Sequence, residues 1–241
     1  MFPNGFKLDE DNLWYVDDKD IKKSPIYFPK VGVFYNRNVQ CFYKVEGIDN
    51  LIIKNTRKYP LLFNQTRNRK LLKELLLREK DMPNVDVPKA YLKENNRVTG
   101  MFVPYYPKSV SYTRLTNYYS KDDVLKIYNH DNDADYNLLL LCLETLGVLK
   151  ELYDAGIVYL DIHDGNFLIY NNGVKVIDFE PGFVKITKNK ERYQYQIVNK
   201  YLQLARQLLY KLYFSEYISI YGSNFQEAED SIKKLEKLIK R

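Results

Sequence analysis

The stretch from Tyr159 to Glu180, YLDIHDGNFLIYNNGVKVIDFE, constrains this chain more than any other. Asp161 is followed five residues later by Asn166. Two apolar runs come next, Phe167–Tyr170 and Val174–Ile177, both of strand length. Between them stands Asn171-Asn172-Gly173, and because Asn and Gly tolerate positive φ these residues predict a tight reverse turn. The hairpin would fold Asp178, at the end of the second run, back beside the loop that holds Asp161 and Asn166. Two carboxylates and an amide then gather in one place. Hard oxygen donors of this kind suit Mg²⁺, which takes a carboxylate or two together with phosphate oxygens. One carboxylate is left to orient or deprotonate a hydroxyl.

The order Asp161…Asn166, hairpin, Asp178-Phe179-Glu180 resembles the catalytic core of the protein kinase-like superfamily. There, D-x-x-x-x-N precedes a short hairpin and a D-F-G-type tripeptide. The wording D-I-H-D-G-N and I-D-F-E is similar to the choline and aminoglycoside phosphotransferases and to atypical kinases. It fits typical Ser/Thr kinases less well. The resemblance implies an α+β, bilobal protein kinase-like fold. Its N-terminal lobe would be an antiparallel sheet with one helix, its C-terminal lobe small and mainly helical, with ATP between them. The implied boundaries are an N-terminal extension over residues 1–25, a first lobe over 26–104 and a second over 105–241.

The first half of the chain offers matching pieces. Runs between Ile26 and Thr56 are rich in β-branched and aromatic residues and read as an antiparallel meander. Lys54 sits in Leu-Ile-Ile-Lys-Asn; the resemblance makes it the lysine that pairs with the α- and β-phosphates. Read by itself, it is an exposed Lys on a half-buried strand. Thr66–Lys80 reads as a helix with a stripe of Leu71, Leu72, Leu75, Leu76 and Leu77. On it Glu74 follows Lys54 by twenty residues, and in the resembled fold it would hold Lys54 extended. The local alternative is an i,i+4 pair with Arg78. Ala90–Lys93 and Val98–Val103 read as a second hairpin, after which Val103-Pro104-Tyr105 would be the hinge whose backbone meets the adenine edge. The loop over the phosphates would be Tyr35–Asn38, with Arg37 reaching phosphate; its usual glycine-rich pattern is absent, with Gly32 just before it.

The second half reads as mostly helical. Asp135–Ala155 has helical apolar spacing, an N-cap at Asp133 or Asp135 and a stop at Gly156. Further helices are expected over Arg192–Phe214 and Phe225–Lys240, the last capped by Ser223/Gln226 or Asn224/Glu227. Pro107 to Asp135 is polar and Tyr-rich, with a short helix at Lys121–Asn129.

Composition narrows the partners. Thirty-seven basic against 31 acidic residues leave a net charge of +6, mildly basic and short of a nucleic-acid-binding excess. Cys41 and Cys142 both lie among apolar neighbours, which points to free thiols in a reducing compartment and so to the cytoplasm of the producer or a host cell. Two Cys and two His are too few for a structural zinc site. The N-terminus lacks the basic and apolar regions of a signal peptide. The most apolar run, Leu138–Leu149, is too short to span a bilayer and includes Glu144, so no membrane insertion is expected.

The expected activity is ATP- and Mg²⁺-dependent transfer of the γ-phosphate to a serine or threonine hydroxyl of a protein. Asp161 would be the base, Lys54 and Glu74 its partners on the nucleotide side, and Asn166 and Asp178 the metal ligands. The alternatives are a small-molecule alcohol as acceptor and a pseudokinase acting as an interaction module. Tyr159-Leu160-Asp161 stands where H-R-D is usual, so no switching by phosphorylation of the following loop is expected. Glu180 replaces the usual Gly, and His163 is expected to hold the loop.

Overall fold

The computed structural model describes residues 2, 5–26, 41–55, 66–95, 97–179, 183–212 and 219–239. Arg37, Gly32, the Tyr35–Asn38 loop and Glu180 therefore lie outside the described residues, as does the side chain of Cys41. The chain is α+β and divides into two compact units, Met1–Pro107 with Asp178–Gly182, and Lys108–Ile177 with Phe183–Arg241.

Among the described residues, the first unit is built on a seven-stranded mixed sheet. Its strands are β1 (Lys7–Leu8), β2 (Trp14–Asp17), β3 (Lys23–Ile26), β4 (Cys41–Val45), β5 (Ile48–Asn55), β6 (Ala90–Glu94) and β7 (Arg97–Pro104). The spatial order is β1-β2-β6-β7-β5-β4-β3. The two expected hairpins, β4–β5 and β6–β7, are antiparallel, and β5 lies between β4 and β7. A strand in that position has no free edge, and Leu51, Ile52, Ile53 and Lys54 of β5 are buried one after another.

Residues 1–25, expected as an N-terminal extension, supply β1, β2 and most of β3 of the first unit. Beta-2 pairs in parallel with β6, Tyr15 opposite Tyr91, and Val16 joins the core with Ile53, Leu92 and Phe102. The acidic composition of this segment hides the strands, because its acids serve turns and ion pairs. Asp9 accepts the backbone N–H groups of Asp11 and Leu13, each at 2.9 Å. It also accepts the Tyr91 hydroxyl and pairs with Arg69 at 2.5 Å. Arg69 belongs to α1 (Thr66–Leu77), so one carboxylate ties the N-terminal turn to both the sheet and the helix. On α1 only part of the expected leucine stripe is inside: Leu72 and Leu75 are buried, whereas Leu77 is 76% exposed.

The second unit is mainly helical. Its helices are α2 (Tyr112–Tyr118), α3 (Lys121–Ile127), α4 (Ala134–Asp154), α5 (Glu191–Leu212) and α6 (Phe225–Ile239). Alpha-4 carries the core, with Leu138, Leu139, Cys142, Leu146 and Leu149 buried. Asp133 caps it through the N–H groups of Asp135 and Tyr136, and Gly156 ends it at φ +76°. Alpha-2, which the sequence reading left unassigned, is started by Ser111, whose hydroxyl accepts the Arg114 N–H. At α6, Asn224 accepts the Glu227 N–H, as one of the two expected pairs has it, while the Glu227 carboxylate accepts the Ser223 N–H and Gln226 bonds Asp230 rather than Ser223. Among the described residues, no helix is long and apolar enough to cross a membrane.

Short strands β8 (Val110–Ser111), β10 (Phe167–Tyr170) and β11 (Gly173–Val176) form a three-stranded sheet in the order β11-β10-β8. Strands β9 (Ile157–Tyr159) and β12 (Val184–Ile186) pair separately.

Burial by itself would raise the Asp9 carboxyl, but the Tyr91 hydroxyl, the Leu13 amide and the Arg69 guanidinium outweigh it and hold the group below its ordinary 3.8. A depressed carboxyl contributes its stability in full above the unfolded value and loses it as pH falls through the folded one. Asp9→Asn is expected to cost about 2 kcal/mol at neutral pH, since Arg69 loses one charged partner but keeps Asp11 at 2.9 Å. The gap between variant and wild type should close below pH 3.8. Urea unfolding at pH 7 and at successive steps down the acid range checks both.

Candidate active site

The Tyr159–Glu180 stretch folds as a hairpin with a two-residue loop. Beta-10 and β11 pair from Phe167 opposite Val176 to Tyr170 opposite Gly173. Asn171 and Asn172 carry φ of +49° and +62°, the conformation a tight two-residue turn demands at both central positions. The turn is anchored at its tip, where the Asn172 amide donates to the Asn129 carbonyl at 2.8 Å. At the open end the Ile177 N–H donates to the Asn166 carbonyl at 2.9 Å. Asp178 is the next residue in the chain.

In the second unit, Asp161 and Asn166 meet directly. The Asn166 amide nitrogen donates to the Asp161 carbonyl at 2.9 Å and to Asp161 Oδ2 at 2.8 Å. Both partners are acceptors only, so the nitrogen must face them and Asn166 Oδ1 is left as an oxygen donor. Asn166 is buried, and a 3₁₀ turn over Asp164–Asn166 fixes its position. His163 holds that turn: its Nδ1 accepts the Gly165 N–H at 3.1 Å and its carbonyl accepts the Asn166 N–H at 3.1 Å. The other ring nitrogen lies 3.6 Å from Asp161 Oδ2.

The Asp161 carboxyl is held below its ordinary range. His163 is the largest cause, burial works against it, and the Asn166 amide and the Lys200 charge add to His163. Asp161 is therefore an anion, with Oδ2 occupied and the rest of a 28%-exposed side chain open to a hydroxyl. It can orient such a group and accept its proton.

In the first unit, Lys54 and Asp178 form an ion pair with Nζ 2.7 Å from Oδ1. Lys54 is 3% exposed and Asp178 31% exposed. Lys54 is thus not the exposed strand lysine that local reading allows. Asp178 has φ +58°, an uncommon conformation for a residue other than Gly. Asp178 also belongs to the first unit, not to the second as the boundaries over 26–104 and 105–241 imply. Across from this pair β7 presents Gly100, where an added Cβ would stand 3.2 Å from the Lys54 carbonyl and 2.9 Å from Ile53 Cγ2.

Two expected site residues take other roles. Glu74 does not hold Lys54: its carboxylate bonds Arg78 at 2.7 Å, the local i,i+4 alternative. The reason is the orientation of α1. Leu72 and Leu75 occupy its buried face, and Glu74 stands one helical step off that face, 45% exposed. Tyr105 does not offer its N–H to an adenine edge, because that N–H donates to the Asn50 carbonyl at 2.9 Å. The β5–β7 ladder pairs Leu51 with Pro104, and this bond carries it one residue further. Val103 remains within the same ladder, opposite Ile52.

Compared with protein-family models and with curated proteins, the chain matches none. Among the described residues, no group of three or more His, Cys, Asp or Glu side chains is placed to hold a metal ion. Within the second unit Asn166 Oδ1 is an oxygen not used toward Asp161, and within the first unit the Asp178 carboxylate is paired with Lys54. An amide and a carboxylate fit Mg²⁺, which leaves its remaining positions to phosphate and water.

One residue near Asp161 escaped sequence reading. Lys200 of α5 donates to the Leu160 carbonyl at 2.5 Å. No motif marks it, and only the packing of α5 brings it there.

The burial asymmetry of the ion pair has a measurable consequence. Asp178→Asn removes a counter-charge from a buried ammonium and is expected to cost about 3 kcal/mol. Lys54→Met puts an apolar chain of similar shape in the same slot and leaves a carboxylate that water can reach, so its cost should stay near 1 kcal/mol. Gly100→Ala should cost about 1–3 kcal/mol by crowding the strand that carries Lys54. Denaturant melts of the three variants rank these effects.

Proposed function

We propose that this chain is an ATP- and Mg²⁺-dependent phosphotransferase with a bilobal, protein kinase-like fold, acting on serine or threonine hydroxyls of a protein. One observation carries most weight. The hairpin bonds Ile177 to Asn166, so that the next residue, Asp178, continues from the turn in which Asn166 holds Asp161. The same Asp178 is the counter-ion of the buried Lys54.

Each side chain has a role in this reaction. Asp161 accepts the hydrogen bond of the acceptor hydroxyl and aims its oxygen at the γ-phosphorus. As the new O–P bond forms, the bond to the bridging oxygen breaks, ADP departs and the hydroxyl proton passes to Asp161. Phosphoryl transfer asks for positioning and charge neutralisation more than covalent work, and a carboxylate kept ionised serves the first of these. Lys54 turns from Asp178 to the α- and β-phosphates. Asn166 and Asp178 would hold Mg²⁺, which when bound would neutralise phosphate charge.

A protein acceptor is favoured by the compact span from Pro104 to Asp161, in which only the short helices α2 and α3 precede α4. A reducing, cytoplasmic setting goes with the Cys142 thiol, which is free and pushed up to about 12 by burial. The commitment of the Tyr105 N–H to Asn50 favours a second reading, an interaction module of the pseudokinase type that binds no nucleotide.

Incubation with γ-labelled ATP, Mg²⁺ and a cell lysate separates the readings. Label on protein bands, lowered about 10²- to 10⁴-fold in Asp161→Asn, is the expected outcome. ATP consumption without a labelled band would move the acceptor to a small-molecule alcohol. If Mg²⁺-ATP fails to raise the melting temperature at all, the scaffold reading replaces both, since a bound ligand must stabilise the native state by mass action.

A further inference from the structure

Leu160, the residue before Asp161, is held on both of its backbone polar groups. Its N–H donates to the Phe183 carbonyl at 2.9 Å, and its carbonyl accepts Lys200 Nζ at 2.5 Å. The peptide group is planar, so a cation fixed on the Leu160 carbonyl also fixes the Asp161 N–H on the far side of the same plane. That plane sets the direction in which the Asp161 side chain leaves the backbone.

Alpha-5 is placed to do this. Its buried stripe is Ile197, Tyr201, Leu204 and Leu208, and Tyr201 bonds the Cys142 carbonyl of α4 at 2.8 Å. Lys200 lies at the margin of that stripe. Seven residues on, two helical turns along the same face, Gln207 reaches Asp164 Oδ2 at 3.4 Å. The helix thus touches the loop on both sides of Asp161, at Leu160 and at Asp164. The charge-assisted bond is the one next to the base.

We propose that Lys200 is a positioning residue of the active site: its ammonium clamps the Leu160 carbonyl and thereby aims Asp161. This rests on the phosphotransferase reading above. It adds a residue to it that lies outside the Asp161-to-Asp178 motif.

The test compares Lys200→Met and Lys200→Arg in the full chain. Steady-state transfer from ATP is measured with amide hydrogen exchange over residues 160–166 and the melting temperature. Lys200→Met should lower kcat about tenfold to hundredfold, since small misplacements of a reacting group cost that much. Its KM for ATP should stay within about twofold of wild type, and exchange at Leu160, Gly165 and Asn166 should speed up. Lys200→Arg keeps a cation on the carbonyl and should recover most of kcat. A Lys200→Met enzyme with wild-type kcat overturns the proposal, as does a Lys200→Arg enzyme no better than Lys200→Met at equal melting temperature. The wild-type and Asp161→Asn proteins decide the underlying reading separately. Should neither transfer phosphate, that reading falls and the catalytic role of Lys200 with it. Unchanged loop exchange in Lys200→Met would then remove the clamp as well.

Discussion

A buried ammonium has to be matched by a negative charge, and in the first unit that charge comes from far along the chain. Lys54 lies in β5, between two other strands, with almost no access to water. Burying such an ion without a partner costs several kcal/mol. Asp178 meets the need, and Asp178–Gly182 group with the first unit rather than with the sequence on either side of them. The ion pair joins two residues of the first unit that lie far apart in sequence. Asp178 takes a left-handed conformation at the end of the hairpin.

The loop around Asp161 is organised differently. Most of its bonds are short-range: His163 to Gly165 and Asn166, and Asn166 to Asp161. A turn closed this way needs few residues and little outside help. What it lacks is an absolute direction, and long-range contacts supply it. Phe183 and Lys200 hold Leu160, and Gln207 reaches Asp164. In the proposed reaction the short-range bonds keep Asp161 ionised and in the right rotamer, while α5 aims it.

Much of the site was legible in the sequence because it is local. Asn171 and Asn172 identify a turn by their tolerance of positive φ, and the turn sets the register of β10 against β11. The offset from Asp161 to Asn166 lets a side-chain amide reach back across one 3₁₀ turn. The helix over Ala134–Asp154 was readable from its apolar spacing, its cap and its glycine stop. Glu74 shows the opposite case. Its spacing from Lys54 allows a pair, but which side of α1 faces inward depends on where Leu72 and Leu75 find cover, and they turn Glu74 toward Arg78. The first 25 residues are a related case: the pairing of β2 with β6 is long-range and parallel, and no local pattern announces it.

The amino-acid sequence by itself determined the turn, the strand-length apolar runs, the cap and stop of α4 and the Asp161–Asn166 offset, since each depends on backbone preferences within a few residues. Only tertiary structure decided that Lys54 would be buried against Asp178, that Glu74 would not reach it, that Tyr105 would spend its N–H on Asn50, and that Lys200 would meet the Leu160 carbonyl. The physical reason is common to all four. Burial and partner choice depend on which surfaces the rest of the chain removes from water, and residues distant in sequence make that choice together.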